Sequence, residues 1–75
     1  MKKITVKLFA TLREGRGKII EMECKEGKKI REILHDLKIE EKEVAILLKN
    51  GISSKMDVVP SCGDYLSIFP PVGGG

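Results

Sequence analysis

Seventy-five residues, with 14 basic and 11 acidic side chains and a net charge of +3, limit the chain to one small domain able to bury about 60% of its unfolded surface. The 41% hydrophobic and 33% charged fractions fit a globular protein and argue against a disordered or membrane-spanning one. Interspersed charges, a single Tyr, two Phe and no Trp argue equally against a nucleic-acid footprint or a base-stacking platform.

The N-terminal MKKITVKLF alternates polar with apolar residues and lacks the continuous apolar run of a secretory leader, so a strand is expected and the cytoplasm is the default address. Ile4, Val6 and Leu8 fall on one face, and Thr5, Lys7 and Phe9 on the other. A turn is expected around Gly15-Arg16-Gly17. KIIEMEC then sets Ile20, Met22 and Cys24 opposite Glu21 and Glu23, so residues 2–24 read as a hairpin with a long loop.

In KKIREILHDL, Ile30, Ile33, Leu34 and Leu37 recur at helical spacing and form the stripe that would cover the hairpin. His35 and Asp36 lie off that stripe, which makes His35 a solvated helix residue. Gly27 is the nearest cap, and Lys28, Lys29 and Arg31 oppose the helix dipole, so packing is expected to hold the helix.

Glu40 to Glu43 form a polar connection, and VAILL, Val44 to Leu48, is apolar on both sides, as in a buried strand. Asn50-Gly51 is a strong hairpin-turn dipeptide. ISSKMDVVP is irregular, and Pro60 argues against a central strand there. Cys62-Gly63-Asp64 is a further turn, and Tyr65 to Phe69 is the last strand. One helix on one face of a mixed four- or five-stranded sheet is the economical arrangement of these elements: an α+β fold of the β-grasp, or ubiquitin-like, type over residues 1–69. An all-β barrel is the rival, disfavoured by the helical stripe.

Two cysteines are too few for a disulfide-stapled scaffold and, with one histidine, too few for a structural zinc site; no metal is expected. Cys24 reads as a buried packing residue and Cys62 as an unpaired turn residue, with a reactive thiol the less favoured alternative.

Residues 70–75, PPVGGG, are expected to form an extended, flexible tail. Pro70 and Pro71 fix their own φ and direct the chain away from the domain. Val72 offers one apolar anchor, and Gly73, Gly74 and Gly75 present bare backbone that fits a narrow channel. Beyond Phe69 the tail spans at most about 20 Å, enough to deliver a terminal group into a neighbouring active site. Phe9 and Phe69 would emerge together on the uncovered sheet face at the root of this tail, as an apolar docking patch. A floppy glycine-rich end and incidental exposed aromatics are the plain alternative.

VKLFATLREGRGK, Asn50-Gly51 and above all GDYLSIFPPVGGG resemble the MoaD/ThiS sulfur-carrier family over essentially the whole chain. The proline pair is most like that of its molybdopterin-synthase branch, although Gly73 stands where alanine or serine is common. The resemblance implies that the chain is a carrier without catalytic groups of its own. A ubiquitin-activating-like adenylyltransferase (MoeB/ThiF type) would use ATP to adenylate the Gly75 carboxylate, and a sulfur donor protein would then convert it to a thiocarboxylate. It further implies delivery through Gly73 and Gly74 into a molybdopterin synthase large subunit (MoaE type), with Phe9, Phe69, Pro70, Pro71 and Val72 at the contact and no bound cofactor. Two other readings stay open: sulfur supply to thiazole or another metabolite, and a ubiquitin-like modifier joined to lysines through Gly75. A binding module with an incidental tail is the weakest alternative.

Overall fold

The structure, a computed structural model, describes residues 2–71. Its strands are β1 (Lys3–Leu8), β2 (Ile19–Glu23), β3 (Ile46–Lys49), β4 (Ile52–Ser53) and β5 (Tyr65–Phe69), with one α-helix, α1 (Ile30–Asp36), between β2 and β3. The strand order is β2-β1-β5-β3-β4. β1 pairs antiparallel with β2, Val6 opposite Ile20, and parallel with β5, Val6 opposite Leu66. β3 runs antiparallel to both β5 and β4. This is the β-grasp arrangement of a mixed sheet with one helix.

Alternation in β1 and β5 buries Ile4, Val6, Leu8, Leu66 and Ile68 against Ile30, Ile33 and Leu34 of α1, with Leu12, Ile39 and Leu47 completing the core. The expected helical stripe is the one that packs, and Leu37 is half-buried at its end. His35 is exposed. Asn50 and Gly51 both take positive φ, 54° and 83°, the backbone that the β3–β4 hairpin turn needs. β4 is short and lies at the sheet edge, before Pro60.

Three expectations are corrected. Cys24 and Cys62 are joined in a disulfide, their Cα atoms 5.5 Å apart. Topology brings them together: the Cys24 N–H donates to the Lys2 carbonyl and the Gly63 N–H to the Lys3 carbonyl, so both cysteines flank the start of β1. Cross-linking residues 38 apart removes enough unfolded-chain entropy to contribute about 4 kcal/mol. Cys24 still packs against the core, half-buried.

Val44 to Leu48 is not buried on both sides. Leu47 faces the core, but Ile46 is 52% exposed because no helix covers the other face of the sheet. The helix, finally, is capped, and not by Gly27. Lys29 is its N-cap residue; its N–H donates to the Glu32 carboxylate, while the Ile30 and Arg31 N–H groups donate to the carbonyls of Val58 and Met56. The irregular segment before Pro60 thus satisfies donors that a helix start leaves open.

Candidate functional site

β1 and β5 end side by side, and the residue after β1 meets the last residue of β5 on the uncovered face. The rings of Phe9 and Phe69 stack there with centroids 4.2 Å apart and planes 10° from parallel. Each half-buries the other, so the pair is less exposed than two separate aromatics would be. The parallel register is the cause: Leu8 lies opposite Ile68, and the Phe9 N–H donates to the Ile68 carbonyl.

Arg13 borders the stack. It lies in a 3-10 turn, Ala10–Arg13, where its Nε–H donates to the Leu8 carbonyl at 2.9 Å and its guanidinium carbon stands 5.7 Å from the Phe9 ring centre. On the other side Ile46 is paired with Phe69, which extends the apolar strip to β3. Farther along β5, Lys7 places its ammonium 4.4 Å over the Tyr65 ring. The outcome is an apolar strip, Ile46–Phe69–Phe9, with cations at its border.

Pro70 is half-buried and Pro71 exposed, directly after Phe69. The expected tail residues Val72, Gly73, Gly74 and Gly75 lie outside the described residues. The structure therefore brings together Phe9, Phe69 and Pro70 from the expected site, with Pro71 next in the chain, and adds Ile46 and Arg13. Ile46 was concealed by the apolar run around it; Arg13 carries no local signal.

At the opposite end of the sheet the chemistry is structural. The Asn50 amide donates to Asp64 at 2.9 Å, the Tyr65 N–H donates back to the Asn50 side-chain oxygen, and the Ser61 N–H donates to Asp64. These donors, Asn50 first and then Ser61, with Lys49 nearby, hold the Asp64 carboxyl below its ordinary pKa against the opposing effect of burial. Arg31 pairs with Glu41 and Asp57 on the exposed side of α1, and Asp57 is held low chiefly by that hydrogen bond. Among the described residues no group of His, Cys, Asp and Glu side chains could hold a metal ion, and no helix is long and apolar enough to cross a membrane.

No curated protein is significantly similar to the chain. Among solved structures, a Pyrococcus furiosus protein assigned as molybdopterin converting factor, subunit 1, is 28% identical, with a TM-score of 0.74 over 96% of this chain and 100% of that one. SAMP1 from Haloferax volcanii is 24% identical, with a TM-score of 0.75 over 97% and 99%. A chain in the complex of subunits 1 and 2 of the molybdopterin-converting factor from Helicobacter pylori is 22% identical, with a TM-score of 0.63 over 97% and 99%. The latter two are similarities of fold. The family model for ThiS matches residues 6–75, nearly the entire sequence including PPVGGG, and the chain belongs to the ThiS family of small β-grasp carrier and ubiquitin-like proteins.

Proposed function

We propose that the chain is the sulfur carrier of molybdopterin synthesis, acting as the small subunit of a molybdopterin synthase. The observation that carries this reading is the stacked Phe9–Phe69 pair on the uncovered face, directly at the root of the PPVGGG segment. The likeness to the Pyrococcus molybdopterin converting factor subunit supports the choice of pathway, and the two-subunit Helicobacter complex supports a hetero-oligomeric partner.

A C-terminal carboxylate has a pKa near 3.5, is ionised at neutral pH and resists nucleophiles. In the proposed cycle the Gly75 carboxylate attacks the α-phosphorus of ATP in an activating partner and pyrophosphate leaves. A persulfide sulfur on a donor protein then attacks the acyl carbon and AMP leaves. A second thiol, acting as the reductant, cleaves the resulting acyl disulfide, becomes a disulfide with the donor cysteine, and leaves a thiocarboxylate on the chain. Catalytic groups reside in the partners; this chain contributes the strip that docks and the tail that is threaded. Docking first makes sulfur transfer effectively unimolecular, with the tail aimed by Pro70 and Pro71. Bare backbone at Gly73 and Gly74 passes where a side chain would collide.

Intact mass spectrometry with fragmentation, on protein isolated from its own cells, tests this. One sulfur in place of one oxygen at Gly75, transferred to a precursor on adding a molybdopterin synthase large subunit, supports the reading. A thiocarboxylate that supplies only another acceptor would place the chain in a thiazole-type pathway.

The likeness to SAMP1, whose name is that of a small archaeal modifier protein, favours a second reading. The same activated Gly75 could meet a lysine amine and form an isopeptide bond. Conjugates of high mass that vanish on deletion of Gly74 and Gly75 would mark that outcome.

A further inference from the structure

The Cys24–Cys62 bridge ties the end of an edge strand to the turn that feeds the central strand β5. Its two sides are held very unequally by other means. The Cys62 side is fastened by the Gly63 N–H on the Lys3 carbonyl, the Thr5 N–H on the Asp64 carbonyl, and the Asp64 carboxylate receiving Ser61 and Asn50. The Cys24 side has far less. The β1–β2 ladder ends at Lys3 opposite Glu23, and one bond from the Cys24 N–H to Lys2 follows it. Lys25, Glu26 and Gly27 are all exposed, and the next fastenings are the Lys28 turn bond to Lys25 and the Lys28–Asp36 ion pair. The Cys62 residue is exposed and Cys24 half-buried, so the bridge is approachable from solvent on the Cys62 side.

We infer that the bridge is a reducible latch on the free edge of the sheet, which when opened releases the Cys24–Lys28 segment and leaves the Phe9–Phe69 end in place. The reductant is a dithiol. Its first thiolate attacks the Cys62 sulfur, the Cys24–Cys62 bond breaks, and Cys24 leaves as a thiolate that takes up a proton. The second thiol of the reductant then displaces Cys62 from the mixed disulfide; two electrons and two protons have passed to the protein, and the dithiol has become a cyclic disulfide. Phe9 and Phe69 lie beyond this event by the length of β5, about 17 Å for five residues. They are held by their mutual stack, by the Phe9 N–H on the Ile68 carbonyl and by the parallel register of Leu8 with Ile68, none of which involves the bridge. Redox state thus changes one edge of the domain and spares the docking end, whatever the carrier delivers.

Nitrogen-15 relaxation on the full chain, oxidised and after treatment with dithiothreitol, tests the latch; gain of two hydrogens in the intact mass verifies opening. Order parameters for residues 24–28 should fall from near 0.85 to below about 0.6, while those of Tyr65–Phe69 stay unchanged. A Cys24→Ser/Cys62→Ser double variant should match the reduced protein and ignore dithiothreitol. Unchanged order at 24–28 in fully reduced protein would overturn the latch, as would equal loosening at Tyr65–Phe69, or a bridge that dithiothreitol leaves intact. If the double variant does not fold, the comparison of oxidised with reduced wild type decides alone.

Discussion

Phe9 and Phe69 stack 4.2 Å apart although sixty positions separate them in sequence, because β1 and β5 run parallel and end together. Removing one ring exposes the face of the other and empties the middle of the Ile46–Phe69–Phe9 strip. Phe69→Ala should weaken binding to a molybdopterin synthase large subunit by about tenfold or more, as loss of an aromatic anchor does. The fold should survive, since a stacked half-buried pair contributes only about 0.5–1.5 kcal/mol beyond its area. Calorimetric titration alongside far-UV circular dichroism checks both, and equal affinity would remove the strip from the docking model.

Arg16 reaches across the molecule to end the helix. Its Nε donates to the Leu37 carbonyl at 3.0 Å, one terminal nitrogen to the Lys38 carbonyl at 3.0 Å and the other to Leu12 at 3.2 Å. A cation on the last carbonyls also opposes the negative end of the helix dipole. Arg16→Ala should destabilise the domain by about 1.5–3 kcal/mol, the range for hydrogen bonds from a charged donor. Arg16→Lys keeps the charge without the fork and should recover only part of the loss in urea denaturation.

Those two relationships also show what sequence can and cannot disclose. Period-two runs in ITVKLFA and YLSIF, and the helical recurrence of Ile30, Ile33, Leu34 and Leu37, define their own elements because backbone geometry alone decides which side chains share a face. The Phe9–Phe69 neighbourhood was legible for the same reason once the sheet order was assumed. Arg16 on Leu37, the Met56 and Val58 carbonyls at the start of α1, and Cys24 with Cys62 are contacts between segments far apart in sequence. Nothing in the local pattern of either partner announces them. The apolar run Val44 to Leu48 misled for a different reason: hydrophobicity on both faces signals burial only if both faces are covered, and here one is kept bare.

Gly51 at φ +83° stands in the left-handed region, where a side chain is strained even with space around it. An added Cβ would meet the Tyr65 hydroxyl at an ordinary contact distance of 3.6 Å, so backbone strain and not collision is the cost. Gly51→Ala should therefore lower stability by about 1 kcal/mol, with no change in partner affinity, because the β3–β4 turn lies away from the Phe9–Phe69 strip. Thermal melts and the same titration would separate the two effects.

Asp64 links pH to stability. Its carboxyl is held below the ordinary value by the Asn50 amide first and the Ser61 N–H second, so the folded state binds its proton less readily than the unfolded chain does. A depressed folded pKa contributes stability that is complete above the unfolded value, near 3.9, and is lost as pH falls through the lower folded one. Asp36 and Asp57 are lowered too, by Lys28 and Arg31, so the whole protein loses stability in acid and a difference is needed to isolate Asp64. The gap in melting temperature between wild type and Asp64→Asn should be constant at pH 6–7 and shrink below about pH 4. A gap independent of pH would mean that the network holds Asp64 equally well in its protonated form.

In the proposed function, the last residues of the sequence carry the chemistry and the β-grasp domain the fold. Among the described residues every buried core residue lies between Ile4 and Ile68, and changes after Pro71 should leave the melting temperature unmoved. Removing Gly75 should abolish adenylation, assayed as ATP-dependent pyrophosphate release with an activating adenylyltransferase, because the chain would end one residue short of the catalytic phosphates. Gly74→Val keeps the length and the carboxylate but puts a branched side chain where bare backbone is proposed to pass; it should reduce loading and sulfur transfer at least tenfold while binding through Phe9 and Phe69 persists. Normal transfer by Gly74→Val would show that the channel is wider than the glycines imply, and would shift the weight of recognition wholly onto the sheet face.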